Sequence, residues 1–302
     1  MKKEILIFGG TQYVGKALIN LLHAKGYDIT IATRGSFPIP LGENVKHVKL
    51  DRYDVSTFPE SVDREWDLVI DQLSLFGEDA KIVADFFKRK AKHFIVISSS
   101  AVYDESLDAS EEQFDPMTYK LNLKPDEDRP EVVHGGESYR EGKRATEAYY
   151  MQNVESCTLV RFPQIFGIND LSNRLLEVII CIKNEKEIPT TNDTKKCSLI
   201  HSRDAARFLS WIVDHPFHGP INASSLGSED IYSLVEKLGG SRDLIKKNKE
   251  KDLSIFVGNE VLLNTDMAKK KGFIFEENSI WLDEVSRIWR YYIGYIQDFK
   301  EV

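Results

Sequence analysis

Apolar positions in this chain come in short unbroken runs that alternate with stretches of helical period. After Glu4 come Ile5-Leu6-Ile7-Phe8 and then two glycines. Four apolar residues with no polar alternation predict a strand covered on both faces, as in the middle of a parallel sheet. From Val14 the period lengthens, placing Val14, Leu18, Leu21 and Leu22 on one face of a helix that Gly26 stops. Strand patterns recur at residues 29–34, 45–50, 68–70 and 94–97, with a helix near 79–89. Alternation of this kind, with no internal repeat, predicts an α/β fold built on a doubly wound parallel (Rossmann) sheet.

Past Gly167 the pattern changes. It predicts a helix over 175–182, short strands within 187–200, a helix over 204–213 and a strand at 220–223. A helix capped by Ser228 and stopped at Gly239-Gly240 comes next, and then a last helix after Ser279 with Leu282, Val285, Ile288, Trp289 and Tyr292 inward. Between the halves, residues 104–138 are acidic and broken by prolines, notably at Asp126-Glu127-Asp128-Arg129-Pro130. They predict a long excursion, a lid over the site.

Composition narrows the class. With 302 residues, 42% hydrophobic and 29% charged, the chain suits a soluble globular enzyme, and a net charge of −8 argues against nucleic acid or an anionic membrane as a partner. The lysine clusters around 246–249 and 269–271 read as solvated helix ends. Three cysteines without C-x-x-C spacing suggest neither a disulfide frame nor a zinc site, and a reducing, cytoplasmic compartment fits. The apolar run after Met1-Lys2-Lys3 is too short for a secretion signal, and no stretch has the length of a membrane span.

In doubly wound sheets ligands bind at the carboxyl ends of the strands, so the residues just after each run carry the chemistry. After the first come Gly9-Gly10-Thr11-Gln12-Tyr13-Val14-Gly15, a glycine turn leading into a helix N-terminus, which suits a pyrophosphate. Gln12 stands where the middle glycine of the dinucleotide fingerprint is expected. The second run ends in Thr33-Arg34-Gly35 with no acidic residue for a ribose hydroxyl. An arginine there either holds a 2′-phosphate, favouring NADP over NAD, or stacks on adenine or faces solvent. Asp51, after the third run, is placed to accept from an adenine amino group. The fifth run ends in Ser98-Ser99-Ser100, which serve as a hydroxyl cluster or as ordinary caps. Tyr139 and Lys143, four apart on a helix, set an ammonium beside a phenol, a pairing that equips a tyrosine for proton transfer.

The turn, ATRG, LDRYD, SSSAVY, YREGK, Arg161-Phe162-Pro163-Gln164-Ile165-Phe166-Gly167 and His201-Ser202-Arg203-Asp204-Ala205-Ala206 together resemble the extended short-chain dehydrogenase/reductase superfamily, NAD-dependent epimerase/dehydratase type. Within it they are similar to the atypical branch that includes chloroplast stem-loop-binding proteins. The resemblance implies that Ser99, Tyr139 and Lys143 are catalytic, with Tyr139 exchanging a proton with a substrate hydroxyl or carbonyl. It implies a dinucleotide held by Gly9, Thr11, Gln12, Tyr13, Val14, Gly15, Arg34, Asp51, Leu73, Phe162 and Ile165 together with Tyr139 and Lys143. Ser100, Gln164, Arg174 and His201 are the substrate candidates, with Arg203 beside them, and His201 reads equally as a structural residue near the lobe junction. It also implies residues 1–167 as the dinucleotide-binding domain and 168–302 as a smaller, mainly substrate-binding lobe, with about 197–223 returning to the first.

Two departures matter. Dehydratases of the family carry an Asp-Glu pair where this chain has Ser100-Ala101, which argues against dehydration by that pair. Gln164 stands where epimerases often have Asn. The expectation is an NADP-dependent (NAD as second choice) oxidoreductase or epimerase-like enzyme acting on a small polar molecule such as a nucleotide sugar, its oligomeric state open, a homodimer included. The alternative is a non-catalytic protein that senses the dinucleotide or binds RNA.

Overall fold

The computed structural model describes residues 2–37, 44–123, 136–170, 172–191, 195–249, 252–253 and 259–298. In chain order, β1 (Glu4–Phe8) leads through α1 (Tyr13–Ala24) to β2 (Asp28–Thr33), β3 (Val45–Lys49) and β4 (Leu68–Asp71). Next come α2 (Gly77–Phe87), β5 (Phe94–Ser99), the short β6 (Ser106–Ala109), the long α3 (Glu137–Asn153), β7 (Cys157–Phe162) and β8 (Gln164–Phe166). The second half holds α4 (Arg174–Lys183), β9 (Ile188–Thr190), β10 (Cys197–His201), α5 (Ser202–Asp214), β11 (Gly219–Asn222) and β12 (Ser228–Glu229). It ends with α6 (Ile231–Lys237), β13 (Ile245–Lys247), β14 (Val261–Leu263), α7 (Asp266–Lys270) and α8 (Asn278–Asp298).

Seven of these strands form one parallel sheet in the order β11-β7-β5-β4-β1-β2-β3. The winding runs outward from β1 through β2 and β3 on one side, and from β4 through β5, β7 and β11 on the other. The order therefore reverses between β1 and β4, and a crevice opens above their carboxyl ends. Both faces of β1 are covered, as its unbroken apolar run predicts. Ile5 and Ile7 pack with Leu18 and Leu22 of α1 and Phe208 and Leu209 of α5. Leu6 and Phe8 point the other way, against Ala80, Val83 and Phe87 of α2 and Tyr150 of α3.

A separate cluster, with Phe166, Leu175, Val178, Leu199, Leu234, Leu282 and Val285 in it, forms the core of the smaller lobe. Strands β8, β10 and β12 make a three-stranded sheet there, and β9 pairs with β13. β11 rejoins the large sheet beside β7.

The structure corrects three expectations. Ser228 does not cap a helix, because it is drawn into β12 against Ser198. The cap is Asp230, whose carboxylate accepts from Ser233 N at 2.7 Å while Ser233 Oγ accepts from Asp230 N at 3.0 Å, a reciprocal capping box. Tyr292 is 50% exposed, since the apolar stripe of α8 continues beyond the lobe core that Leu282 and Val285 enter. The excursion is not a free lid in its described part. β6 pairs in parallel with β14, and the buried Glu111 carboxylate accepts from Asn222 N at 2.8 Å. The acidic stretch at 126–130 lies outside the described residues.

Candidate active site

Two hollows meet above the switch point. A groove of about 570 Å³ runs from the glycine turn to the ends of β2 and β3, lined by Gly9, Thr11, Gln12, Tyr13, Val14, Gly15, Arg34, Asp51, Leu73, Phe162 and Ile165 among others. A cavity of about 370 Å³ continues from it, lined by Ser99, Ser100, Tyr139, Lys143, Gln164 and, from the second half, Asp170, Ser172, Cys197 and Asn259.

The turn is built by backbone geometry. Gly9 and Gly10 have φ of +92° and +100°, values that side chains strain to adopt. A Cβ on Gly15 would lie 2.5 Å from Gly10 Cα, so the third glycine lets α1 close onto the turn. Gln12, by contrast, is extended at φ −135°, a conformation any residue adopts, and it is Tyr13 that takes the left-handed one at φ +47°. Gln12 in place of glycine is therefore compatible with the backbone of this turn, while the strain sits one residue later.

Beneath the groove, Arg52 and Asp71 form a buried bidentate pair at 2.7 and 3.1 Å. Arg52 also donates to Ser74 Oγ at 2.7 Å, and Tyr150 OH donates to Asp71 at 2.7 Å. Burial alone would raise the Asp71 pKa, but the Arg52 charge and these hydrogen bonds outweigh it and hold the carboxyl down at about 2. The pair ties the end of β3 to the end of β4. Asp51 lines the groove and accepts from Tyr53 N at 3.0 Å.

On the other wall, Ser99 accepts from Ala101 N at 3.2 Å, so it caps the turn after β5 while facing the cavity. Lys143 is buried, and its ammonium donates to Ser74 O at 2.8 Å and Ile97 O at 3.0 Å, 5.9 Å from the centre of the Tyr139 ring. The carbonyls come from the loops after β4 and at the end of β5, so the lysine sits where two strand ends meet α3. Gly142 permits this approach, because a Cβ there would lie 2.4 Å from Leu75 O.

Behind the serines lies a second buried pair. Arg161 grips Glu147 at 2.6 Å, Ser98 donates to the same carboxylate at 2.5 Å, and Arg161 reaches Tyr103 OH at 2.8 Å. Tyr103 in turn donates to Asn222 at 2.7 Å. Burial opposes the Arg161 charge, but the Glu147 carboxylate outweighs it and holds the Arg161 pKa above its ordinary value. This network locks β5, α3, β7 and β11 together.

Of the four substrate candidates, two line the cavity and two do not enter the picture. Gln164 and Ser100 line the cavity. His201 does not line it: the ring is buried, stacks on Trp281 at 4.3 Å and accepts from Arg203 N to cap α5. Burial, aided by Arg203, lowers its pKa to about 3. Its neighbour Arg203 pairs with Glu284 at 2.6 Å. Arg174 opens α4, and its side chain lies outside the described residues. Sequence reading missed Gln72, which lines both hollows, and the polar Asp170, Ser172 and Asn259 of the cavity. Gln72 was findable by the strand-end rule, since it follows the apolar run of β4; the others come from irregular segments with no periodicity to mark them.

The groove suits an elongated ligand rich in acceptor oxygens, for glycine backbone lines one end and two buried polar atoms along it, Tyr13 OH and Gln72 Nε2, have no hydrogen-bond partner among the described residues. Comparison with known proteins agrees with the fold. Residues 76–225 match the family model described as NAD dependent epimerase/dehydratase family. An epimerase from Methanothermobacter thermautotrophicus superposes with a TM-score of 0.73 at 17% identity, covering 98% of this chain and 95% of that one. The dTDP-glucose 4,6-dehydratase of Bacillus anthracis, solved with NAD, gives 0.71 at 14% identity over 94% and 95%. The UDP-N-acetylglucosamine 4-epimerase of Methanobrevibacter ruminantium gives 0.68 at 18% over 95% and 98%. The chloroplast stem-loop binding protein of 41 kDa b from Arabidopsis thaliana is 31% identical over 121 residues, 35% of this chain and 31% of that protein. The chain thus spans about a third of the length of this curated relative. No helix among the described residues is long and apolar enough to cross a membrane.

Proposed function

We propose, from the match of residues 76–225 to the NAD-dependent epimerase/dehydratase family model, that the chain is a member of that family and an NAD(P)-dependent oxidoreductase or epimerase acting on a hydroxyl or carbonyl of a small polar substrate. The carrying observation is the convergence of Ser99, Tyr139 and Lys143 on a cavity continuous with the glycine-lined groove. Nucleotide sugars are the first substrate class to test, since neighbours of this fold bear such names.

When bound, the dinucleotide supplies hydride transfer. The protein's own part is to orient and to move a proton. Tyr139 hands its phenolic proton to the substrate oxygen or takes one from it, while Ser99 hydrogen-bonds the same oxygen. Lys143, held by two carbonyls, fixes a positive charge beside the phenol. Arg34, exposed at the groove's far end with no carboxylate closing β2, favours a 2′-phosphate and hence NADP.

Melting shifts with NADPH and NADH test the cofactor, because a ligand at a hundred times its Kd adds ~2.7 kcal/mol of apparent stability. A larger shift with NADH would overturn the Arg34 reading, and none with either would overturn the enzyme reading. With UDP- and dTDP-sugars screened by NMR for epimer or oxidised product, Tyr139→Phe should cut turnover by roughly 10²–10⁴ while leaving dinucleotide binding intact. Unchanged turnover removes Tyr139 as the proton donor.

A further inference from the structure

The groove and the cavity share six wall residues: Tyr13, Gln72, Leu75, Ile97, Phe162 and Ile165. Four are apolar. The two polar ones each carry a buried side-chain atom with no hydrogen-bond partner among the described residues, the Tyr13 hydroxyl and the Gln72 side-chain nitrogen. Leaving a buried donor unpaired is costly, and Tyr13 adds backbone strain at φ +47°. Two such costs meeting at the only polar stretch of one shared wall point to a ligand that relieves them.

The ligand's nature follows from position. Arg34, Asp51 and Tyr53 line the groove alone, so they mark its adenosine end. The shared wall is the opposite end, where the substrate cavity begins. Gln72 lies close to the start of α1 there: its Oε1 is 3.0 Å from where a Gly15 Cβ would stand. Resting on the dinucleotide reading above, we infer that the Tyr13 hydroxyl and the Gln72 amide form a two-donor clamp for acceptor oxygens on the half of the dinucleotide beyond its ADP moiety. Burial, with the Asp170 charge, raises the Tyr13 pKa, which keeps the phenol protonated and able to donate.

The clamp makes a prediction that a purely structural role does not: its two ends are a burden to the free protein and an asset to the complex. Tyr13→Phe and Gln72→Leu, made in the full chain, are compared with the wild type by thermal melting without ligand. Calorimetry then measures binding of ADP and of whichever of NADPH and NADH the wild type binds more tightly. Each variant should melt at or above the wild-type temperature, bind the dinucleotide roughly fivefold to thirtyfold more weakly, and bind ADP within about twofold of wild type. Dinucleotide affinity unchanged in both variants overturns the clamp, as does an equal loss for ADP, which would mark damage to the turn itself. Should Tyr13→Phe melt lower through lost packing, Gln72→Leu decides alone. A wild type that binds no dinucleotide sinks the underlying reading and the clamp with it; a wild type that binds, with indifferent variants, sinks the clamp alone.

Discussion

Gly142→Ala sets local preference against tertiary packing at the point where α3 meets the loop after β4. In an exposed helix interior this change stabilises by about 1 kcal/mol, because alanine loses less backbone entropy than glycine. Here the added Cβ would lie 2.4 Å from Leu75 O and 2.6 Å from Phe76 Cδ1, when ordinary contact begins near 3.4 Å. A backbone carbonyl cannot swing aside, so α3 and the loop after β4 must part by about 1 Å, an overpacking cost of about 1–3 kcal/mol. The helix gain offsets part of that, leaving a net loss of about 0–2 kcal/mol and a fall in Tm of a few degrees. Function should suffer more than stability. The hydrogen bond from Lys143 to Ser74 O spans 2.8 Å across this same seam, and stretching it by about 1 Å takes it out of range. Misplacing a catalytic group by that distance costs about a hundredfold in rate. The assay pairs differential scanning calorimetry with turnover on whichever substrate is identified. A variant more stable than the wild type by the full helix-propensity gain, with unaltered turnover, would refute the packing argument.

Other expectations follow from the buried polar groups. Glu147→Gln leaves the Arg161 guanidinium buried without its counter-charge and should cost about 3–5 kcal/mol by urea unfolding. The double variant Glu147→Leu with Arg161→Met should recover part of this, and a single variant within 1 kcal/mol of wild type would contradict the pairing. His93 and His201 are both buried, and burial lowers their pKa values to about 4 and about 3, below the 6.5 of the unfolded chain. The unfolded state therefore binds more protons between those limits, so stability is complete above pH 6.5 and declines as pH falls, by up to about 1.4 kcal/mol per pH unit for each histidine. Urea midpoints at pH 7.5, 6 and 5 measure the slope, and a flat profile would count against neutral burial. Arg34→Ala should weaken NADPH by about tenfold and spare NADH, in line with loss of one charge-assisted hydrogen bond, and equal losses would return Arg34 to a stacking role.

The fold was legible where one physical cause dominates. Ile5 to Phe8 are apolar without interruption because both faces of β1 are covered, and that pattern survives any detail of the surroundings. The convergence of Ser99, Tyr139 and Lys143 was legible for a related reason, since strand ends in a doubly wound sheet share one edge. Capping was less so. Ser228 and Asp230 are both good N-cap residues, and the choice between them was made by the pairing of Ser228 with Ser198, a contact between residues thirty apart. His201 illustrates the same limit, for a histidine at a strand end reads as a substrate contact or as a structural residue until Trp281 is seen stacked on it. At Gln12 the sequence shows a side chain where glycine is usual, and only the backbone shows an extended residue that needs no glycine.

Two buried ion pairs flank the crevice, and their placement explains why this fold tolerates so many polar residues under its site. Arg52 with Asp71 joins the ends of β3 and β4 below the groove, and Arg161 with Glu147 joins β7 to α3 below the serines. Neither pair is a strong source of net stability, since desolvation consumes most of the attraction. Their value is geometric. Asp71 accepts from Leu73 N and Ser74 N, which shapes the loop whose Ser74 carbonyl holds Lys143. Glu147 accepts from Ser98, which sets the strand end from which Ser99 enters the cavity. Lys143 and Ser99 are thus tied, through Ser74 and through Ser98, to charges that cannot move without being left unpaired in the core. An apolar core of equal volume would hold the strands together but leave those ends free to shift, and proton transfer requires donor and acceptor to be fixed within hydrogen-bond reach.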